Sequence, residues 1–326
     1  MSRPTHTTTT VLVTGAAGFV GTHLVDLLLT SGKTVIALDI LWTGSSTIID
    51  RFQNNDQFTF VEHDVVQPLP AHLPTVDEIY HLACPASPIQ FTKHPRRILE
   101  TCYMGTNHVL QFALERTAKV LIASSSEVYG NPQVYPLSES YFGNVNPFGP
   151  RSCYDEGKRV AEALAYAYRQ ENRIPIRIAR IFNAYGPGMS PTDGRIISNF
   201  MVAALRGEPL IVYGDGHASR SFQFISDCVR GLKLLMESDV DGPVNIGNNQ
   251  ESTVKEIATL VTDLVAVRTG RPRVEIQFQP EREDDPVRRV PDARRAKELL
   301  GWEPKVGLAE GLARTFAMYE EWYNST

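Results

Sequence analysis

The sequence predicts an α/β fold, a doubly wound parallel sheet with a second, smaller mixed α/β lobe. Short apolar runs alternate with segments of helical periodicity between residues 11 and 181, which is typical of a parallel sheet covered on both faces. A glycine-rich turn separates the first apolar run from the first helical segment. After residue 182 glycine and proline become frequent and elements shorten. We therefore predict one domain over residues 1–182 and a lobe formed mainly by residues 183–326, with an approximate boundary that the chain can cross more than once.

The predicted elements follow from the spacing of apolar residues. The run at 11–13 is β-branched and ends at a Thr-Gly pair, which indicates a buried first strand, and residues 19–29 have helical spacing. Further strands are predicted at 34–39, 58–61, 78–82, 119–123 and 176–181. In the second lobe, a strand is predicted at 210–213 and helices at 227–237, 253–267, 292–300 and 308–323.

Composition excludes several classes of protein. The chain has 326 residues, with 42% hydrophobic and 21% charged residues and a net charge of -5, which argues against disorder and against general nucleic-acid binding. The four cysteines form no CxxC motif, so we expect reduced thiols. No apolar run is long enough to span a bilayer, and the first ten residues lack the apolar core of a signal peptide. We expect a cytoplasmic protein without membrane contact and, since the histidines are scattered, without a metal site.

A dinucleotide site is predicted at the glycine-rich turn. Gly15 permits a tight turn, Gly18 lets backbone N–H groups approach a pyrophosphate, and Gly21 lets the helix pack close to the strand. Asp39 ends the second strand, where a carboxylate binds ribose hydroxyls and repels a 2′-phosphate, so NAD is favoured over NADP. Asp64 and Val65 are expected at the adenine rim, and Leu82 and Ala83 beneath the cofactor. Further predicted cofactor contacts are Phe19, Val20, Thr101, Ala123, Tyr154 and Lys158.

A catalytic group is predicted where Tyr154 and Lys158 lie four residues apart in a helical segment. This spacing places both side chains on one face. An ammonium near a phenol lowers the phenol pKa, so Tyr154 is expected to act as a base near neutral pH. A hydroxyl from Ser125 or Ser126, after the strand at 119–123, is expected to bind the same substrate oxygen.

This combination of motifs resembles the extended short-chain dehydrogenase/reductase family, which acts on nucleotide sugars. Within it, the chain resembles the UDP-glucuronate decarboxylases (UDP-xylose synthases) from Val11 to the terminal helix. The similar segments are 83–88 (ACPASP), 124–130 (SSSEVYG), 143–147 (GNVNP), 149–159 (GPRSCYDEGKR), 193–200 (DGRIISNF), 220–223 (RSFQ) and 299–304 (LLGWEP).

The resemblance implies a Rossmann fold and NAD-dependent decarboxylation of UDP-glucuronate to UDP-xylose through a 4-keto intermediate, with the cofactor restored and tightly bound. It implies that Glu127 lies beside the sugar and that Arg220 lies near its carboxylate. It also implies a homodimer formed by helices near 99–114 and 160–168. The implied substrate contacts are Pro85, Ser87, Ser126, Asn183, Arg195, Tyr213, Arg220 and Arg288.

Three positions depart from the family pattern. Glu100 stands where a lysine is expected, Cys102 where an asparagine is expected, and Gly188 where an arginine is common. These changes leave two alternatives open, since the site binds an anionic nucleotide. One is a UDP-glucuronate 4-epimerase or another nucleotide-sugar enzyme of this family. The other is a nucleotide-sugar or NAD-binding protein without turnover. A 4,6-dehydratase is disfavoured because Ser126, rather than aspartate, precedes Glu127.

Overall fold

Strands and helices alternate along most of the chain, of which the computed structural model describes residues 8–281 and 288–325. In chain order, the strands are β1 (Thr10–Thr14), β2 (Thr34–Asp39), β3 (Phe58–Glu62), β4 (Glu78–His81), β5 (Lys119–Ser125), β6 (Ile176–Ile181), β7 (Ala184–Tyr185), β8 (Leu210–Tyr213), β9 (Ser219–Ser221), β10 (Gln223–Phe224), β11 (Pro243–Ile246), β12 (Glu251–Thr253), β13 (Ile276–Gln279) and β14 (Arg288–Arg289). The helices are α1 (Phe19–Thr30), α2 (Thr47–Phe52), α3 (Pro88–Lys93), α4 (Pro95–Glu100), α5 (Thr106–Arg116), α6 (Ser152–Asn172), α7 (Ile196–Arg206), α8 (Ile225–Glu237), α9 (Val254–Thr269), α10 (Arg294–Leu300) and α11 (Leu308–Ser325).

A seven-stranded parallel sheet forms the centre of the molecule, as the sequence predicts. Its strand order is β11-β6-β5-β4-β1-β2-β3, and each neighbouring pair is parallel. Val11, Leu12 and Val13 have no exposed surface, because helices cover both faces. The order reverses between β1 and β4, and a crevice at the carboxyl ends of such strands is where doubly wound folds bind ligands.

Several short elements are not predicted by the apolar pattern of the sequence. A π-helical turn, Thr101–Gly105, joins α4 to α5, and a 3-10 turn, Ser126–Tyr129, follows β5. The helix α2 has six residues, and β7, β10 and β14 have two each. Segments this short hold fewer than two periods of a hydrophobic pattern, so sequence periodicity does not reveal them.

After residue 182, the residues that the structure describes form three small sheets and return once to the large one. The small sheets pair β10 with β7, β9 with β12 and β14, and β13 with β8. The strand β11 instead pairs with β6 at the edge of the seven-stranded sheet. The large sheet therefore contains strands from both predicted ranges, residues 1–182 and residues 183–326. Within residues 8–281 and 288–325, no helix combines the length and apolar character needed to cross a membrane.

Candidate active site

The turn after β1 is shaped by its glycines. Gly15 has a φ of 70° and a Cβ there would lie 2.7 Å from the backbone nitrogen of Ala83. A Cβ on Gly21 would lie 2.1 Å from the carbonyl oxygen of Gly15, so helix α1 packs directly on the turn. Gly18 is the N-cap of α1, which has neither a side-chain cap nor an acidic residue in its first turn. The N–H groups at this helix end are therefore suited to an anion such as a pyrophosphate.

Asp39 lies beside this turn at the end of β2. Its carboxylate accepts hydrogen bonds from the N–H groups of Ala17 (2.9 Å) and Leu41 (2.8 Å). Burial raises the pKa of Asp39, and these hydrogen bonds act in the opposite direction. Each carboxylate oxygen keeps a lone pair for a ribose hydroxyl. The turn and Asp39 together fit an adenine dinucleotide, and the fit supports NAD.

Several of the other predicted cofactor residues have partners within the protein. Asp64 accepts a hydrogen bond from Val66 N–H (3.1 Å) and forms an ion pair with Arg97. The Thr101 hydroxyl donates to the carbonyl of Arg97 at 2.8 Å. Val20, Leu82 and Ala123 line the adjoining cavity that is described below. The other three have contacts elsewhere: Phe19 packs edge-on against His23, Ala83 N–H donates a hydrogen bond to Thr14 Oγ1, and Val65 contacts Gly105.

The cavity next to the glycine-rich turn has a volume of about 450 Å³. Five cationic side chains line it and only one carboxylate, Glu127, within the described residues. This charge balance suits a polyanionic ligand. The cations are Arg151, Lys158, Arg195, Arg220 and Arg289, and predicted residues Ser125, Ser126, Tyr154 and Asn183 also line the cavity.

Ser125, Tyr154 and Lys158 lie close together in the lining of this cavity. The Lys158 ammonium donates a hydrogen bond to the carbonyl of Ala123 (2.7 Å) and lies 5.6 Å from the centre of the Tyr154 ring. Phe91 stacks on that ring with centroids 4.8 Å apart. The Ser125 side chain acts on Tyr154, whose pKa it helps to lower, and its hydroxyl caps the 3-10 turn by accepting a hydrogen bond from Glu127 N–H. Helix α6 and strand β5 thus place hydroxyl, phenol and ammonium groups together.

The predicted pKa of Tyr154 requires a correction. We expected Lys158 to bring the phenol close to neutral pH. Burial has the larger effect and raises the pKa of Tyr154 to about 12, although Lys158 acts to lower it. Burial also lowers the pKa of Lys158, but the nearby Cys84 and Tyr154 raise it further, so the net shift is upward. Without ligands, the phenol is protonated and the ammonium is charged at neutral pH.

Glu127 lies between two arginines at the cavity wall. Arg151 donates to one of its carboxylate oxygens at 2.5 Å, and Arg289 forms an ion pair with the other. Burial acts to raise the pKa of Glu127, but Arg289 and then Arg151 outweigh it and hold the pKa at about 2. Glu127 is therefore a carboxylate at any physiological pH, and both arginines are partly neutralised by it.

Of the two adjacent arginines in β14, the structure directs Arg289 rather than Arg288 into the cavity. Successive strand residues point to opposite faces. Arg288 pairs with Glu251 at 2.6 Å with its side chain 46% exposed, and it is not among the lining residues. Our assignment of Arg288 to the diphosphate is therefore not supported by this geometry, and residues 284–287 of that motif lie outside the described residues.

The remaining predicted substrate residues are divided between the cavity rim and the surface. Arg195 donates to the carbonyl of Ala86 (3.1 Å), and the Ser87 hydroxyl donates to the carbonyl of Asp193 (2.5 Å). Arg220 is 5% exposed and lines the cavity. Pro85 is buried and joins two lining residues, Cys84 and Ala86. Tyr213 is 38% exposed on β8 and does not line the described part of the cavity, so its contact with uracil stays a prediction.

The three departures from the family pattern lie outside the described cavity lining. Glu100 pairs with Arg96 and Arg97, each at 3.6 Å, so its charge is balanced within α4. Gly188 has a φ of 86°, and its N–H donates to Met318 Sδ. The Cys102 side chain is buried and lies 3.4 Å from Cys84, sulfur to sulfur.

Sequence reasoning did not identify Arg151 or Phe91 as lining residues, and it named Arg288 rather than its neighbour Arg289. Arg151 had a detectable signal, because it stands three residues before Tyr154 in the segment most typical of the family. Phe91 had none, since α3 has only six residues.

Comparisons with known proteins identify the relatives of this chain. A family model described as GDP-mannose 4,6 dehydratase matches residues 12–315. A UDP-glucuronic acid decarboxylase from Danio rerio is 49% identical over 309 residues, which are 95% of this chain and 72% of that protein. One from Arabidopsis thaliana is 51% identical over 303 residues, 93% of this chain and 86% of that protein.

Solved structures with the same fold include enzymes named for a different activity. The crystal structure of a UDP-glucuronic acid 4-epimerase from Bacillus cereus, in complex with UDP-glucuronic acid and NAD, has a TM-score of 0.85 and 27% identity. The match covers 96% of this chain and all of that one. The overall fold thus does not distinguish the two reactions, whereas the sequence relatives favour one of them.

Proposed function

The chain belongs to the UDP-glucuronic acid decarboxylase family, within the larger group that the GDP-mannose 4,6 dehydratase model describes, and from this membership we propose that it is an NAD-dependent carboxy-lyase that converts UDP-glucuronate to UDP-xylose and CO2. The cofactor is NAD, and it ends each cycle unchanged.

The observation that carries the proposal is the charge of one cavity. Five cationic side chains and a single carboxylate line the described part of it, next to Ser125, Tyr154 and Lys158. UDP-glucuronate carries a diphosphate and a carboxylate, so it needs several cations close to the reacting sugar. A sugar without a carboxylate would leave part of this positive charge uncompensated.

The glycine-rich turn and Asp39 would hold NAD, with the N–H groups of α1 at its pyrophosphate. When bound, NAD supplies the hydride acceptor, and later the donor, for C4 of the sugar. The Lys158 ammonium keeps its positive charge at the cavity, and its hydrogen bond to the carbonyl of Ala123 positions it.

Tyr154 and Ser125 act on the oxygen at C4. The Tyr154 phenol must lose its proton before it can act as the base, and the positive charges of Lys158 and of bound NAD would favour the phenolate. The phenolate oxygen then takes the hydroxyl proton, and the Ser125 hydroxyl donates a hydrogen bond to the ketone that results. The sugar carboxylate is then β to a carbonyl, so C–C bond cleavage releases CO2 and moves the electron pair onto the C4 oxygen. Ser125 and Tyr154 stabilise that oxyanion within a buried site.

The arginines on the cavity wall beside Glu127 orient the acid group. Arg289 and Arg151 are both held by Glu127, which fixes their guanidinium groups before substrate arrives. Arg220 is buried at the same cavity. We assign the carboxylate of the substrate to this wall, and Glu127 to positioning the sugar or a water that returns a proton to C5.

Mass spectrometry of the nucleotide sugar tests the proposal directly. Purified protein is incubated in D₂O with UDP-glucuronate and NAD, and Tyr154→Phe serves as the control. We expect a UDP-pentose that is lighter by CO2 and carries one non-exchangeable deuterium at C5. An unchanged mass with inverted C4 would establish the 4-epimerase instead. Unaltered UDP-glucuronate with wild-type protein would favour another sugar or a binding role without turnover.

We also propose that the protein is a homodimer in the cytoplasm. Apolar side chains on the outer faces of the segment from α4 to α5 and of α6 are exposed, with Leu99 at 42%, Tyr103 at 52% and Tyr166 at 64%. Two such helices from each of two subunits would cover them. The four free cysteines support a reducing compartment. Light scattering coupled to size-exclusion chromatography tests the dimer, and Tyr166→Glu should shift it to monomer.

A further inference from the structure

Two cysteines lie side by side at the edge of the catalytic cavity. Cys84 stands three residues after the end of β4 and lines the cavity, and Cys102 lies in the π-helical turn between α4 and α5. Their sulfur atoms are 3.4 Å apart, and both thiols are free. Cys84 is half-buried and Cys102 is 3% exposed. A small molecule in the cavity therefore reaches Cys84 first, with Cys102 directly behind it.

The two thiols differ in reactivity. The hydrogen bond from Cys102 lowers the pKa of Cys84 to about 7, burial opposes this shift, and the Lys158 ammonium supports it. The same hydrogen bond, followed by burial, raises the pKa of Cys102. A substantial fraction of Cys84 is thus thiolate at neutral pH, while Cys102 keeps its proton. This is the pairing of an attacking and a resolving thiol that redox-sensitive sites use.

We propose that Cys84 and Cys102 form a reversible disulfide that inactivates the enzyme, with a small hydroperoxide as the oxidant. The Cys84 thiolate attacks one peroxide oxygen, the O–O bond breaks, and the leaving oxygen takes a proton, so Cys84 becomes a sulfenic acid. The Cys102 sulfur then attacks the Cys84 sulfur, the S–O bond breaks, and water leaves with the thiol proton. The peroxide gains two electrons and the two thiols lose them. A low-molecular-weight thiol reverses the change by exchange.

The disulfide would disturb the catalytic residues from two sides. A disulfide needs sulfur atoms about 2 Å apart, so the segments must approach one another from the present 3.4 Å. The Cys102 sulfur packs on Gly157, where a Cβ would lie 2.9 Å from it, and Gly157 stands between Tyr154 and Lys158 in α6. Cys84 leads into Ala86 and Ser87, which contact Arg195 and Asp193. Displacements of about 1 Å in such a site can lower the rate about 100-fold.

Cys153 provides a matched control in the same cluster. It is buried beside Cys102 and Tyr154, and its thiol donates to the carbonyl of Phe91 at 3.8 Å. Burial raises the pKa of Cys153, and it does not line the cavity. Cys153→Ser should therefore leave the oxidation unchanged, whereas Cys102→Asn removes the resolving thiol and introduces the residue usual in the family.

The test treats NAD-loaded protein with increasing hydrogen peroxide, and follows intact mass, non-reduced tryptic peptides and activity. Trypsin releases Cys84, Cys102 and Cys153 on separate peptides, 52–93, 98–116 and 152–158. We expect a mass loss of two hydrogens, a link between the first two peptides, and an activity loss of about 100-fold that dithiothreitol restores. Cys153→Ser should behave like wild type, and Cys102→Asn should form no link and should instead accumulate sulfenic and then sulfinic acid at Cys84.

Other outcomes would overturn the proposal. In the wild-type protein, a link through the peptide with Cys153, stable sulfinic acid at Cys84, or the expected link with full activity each contradicts it. The mapped link does not depend on the decarboxylase proposal, on which only the activity readout rests. Were the untreated protein inactive toward UDP-glucuronate, the proposed function would fail, while the peptide map would still decide whether this disulfide forms.

Discussion

Replacing Glu127 by glutamine tests the central electrostatic feature of the cavity. Arg289 and Arg151 hold the pKa of Glu127 at about 2, against an ordinary value of 4.5. At about 1.4 kcal/mol per pKa unit, this difference corresponds to about 3 kcal/mol of stabilisation at neutral pH. Because the folded pKa lies below the unfolded one, the stabilisation is complete above the unfolded value and is lost as pH falls toward the folded one. Between pH 7 and pH 4 the loss is about 1 kcal/mol.

Urea unfolding of wild type and Glu127→Gln at pH 7 and pH 4 measures this contribution. The variant should be less stable by about 3 kcal/mol at pH 7, and the gap should narrow by about 1 kcal/mol at pH 4. Glu310→Gln, which removes a carboxylate from an exposed pair with Arg314, should follow the pH dependence of wild type. If Glu127→Gln kept the same stability gap at both pH values, the carboxylate would not be held in its ionised form by the two arginines.

Three further changes probe the site and its support. Tyr154→Phe should lower kcat by about 100-fold or more while bound NAD is retained, since only the phenol oxygen is lost; product formation and cofactor content measure the two effects. Asp39→Asn should raise the Kd for NAD about tenfold and weaken the preference over NADP, as titration calorimetry would show, and equal affinities would contradict the ribose assignment. Gly21→Ala should lower the free energy of unfolding by about 3 kcal/mol, because a Cβ there would lie 2.1 Å from the Gly15 oxygen.

Much of the fold could be predicted because its signals are local. Strand β1 contains three adjacent apolar residues with no exposed surface, and position 21 needs glycine because of the Gly15 carbonyl oxygen, six residues earlier. Tyr154 and Lys158 share one face of α6 through helical geometry alone. Each of these depends on residues near one another in the chain, so sequence pattern reveals them.

What sequence could not resolve depends on contacts between distant segments. Whether Arg288 or Arg289 faces the cavity is set by the pairing of β14 with β9, whose residues stand about seventy positions earlier. The pKa of Tyr154 depends on how completely Phe91 and the neighbouring elements exclude water, and burial of that kind is a property of the whole cavity. Spacing placed the ammonium near the phenol but gave no measure of desolvation.

The placement of β11 at the edge of the large sheet has a consequence for folding. β6 hydrogen-bonds to β5 on one side and to β11 on the other, and more than sixty residues separate β6 from β11 along the chain. During synthesis β6 therefore stays an open edge, able to pair with other chains, until residue 246 has emerged. Such long-range closure slows folding. A fragment cut at residue 182 should aggregate, and the full chain should unfold in one cooperative transition.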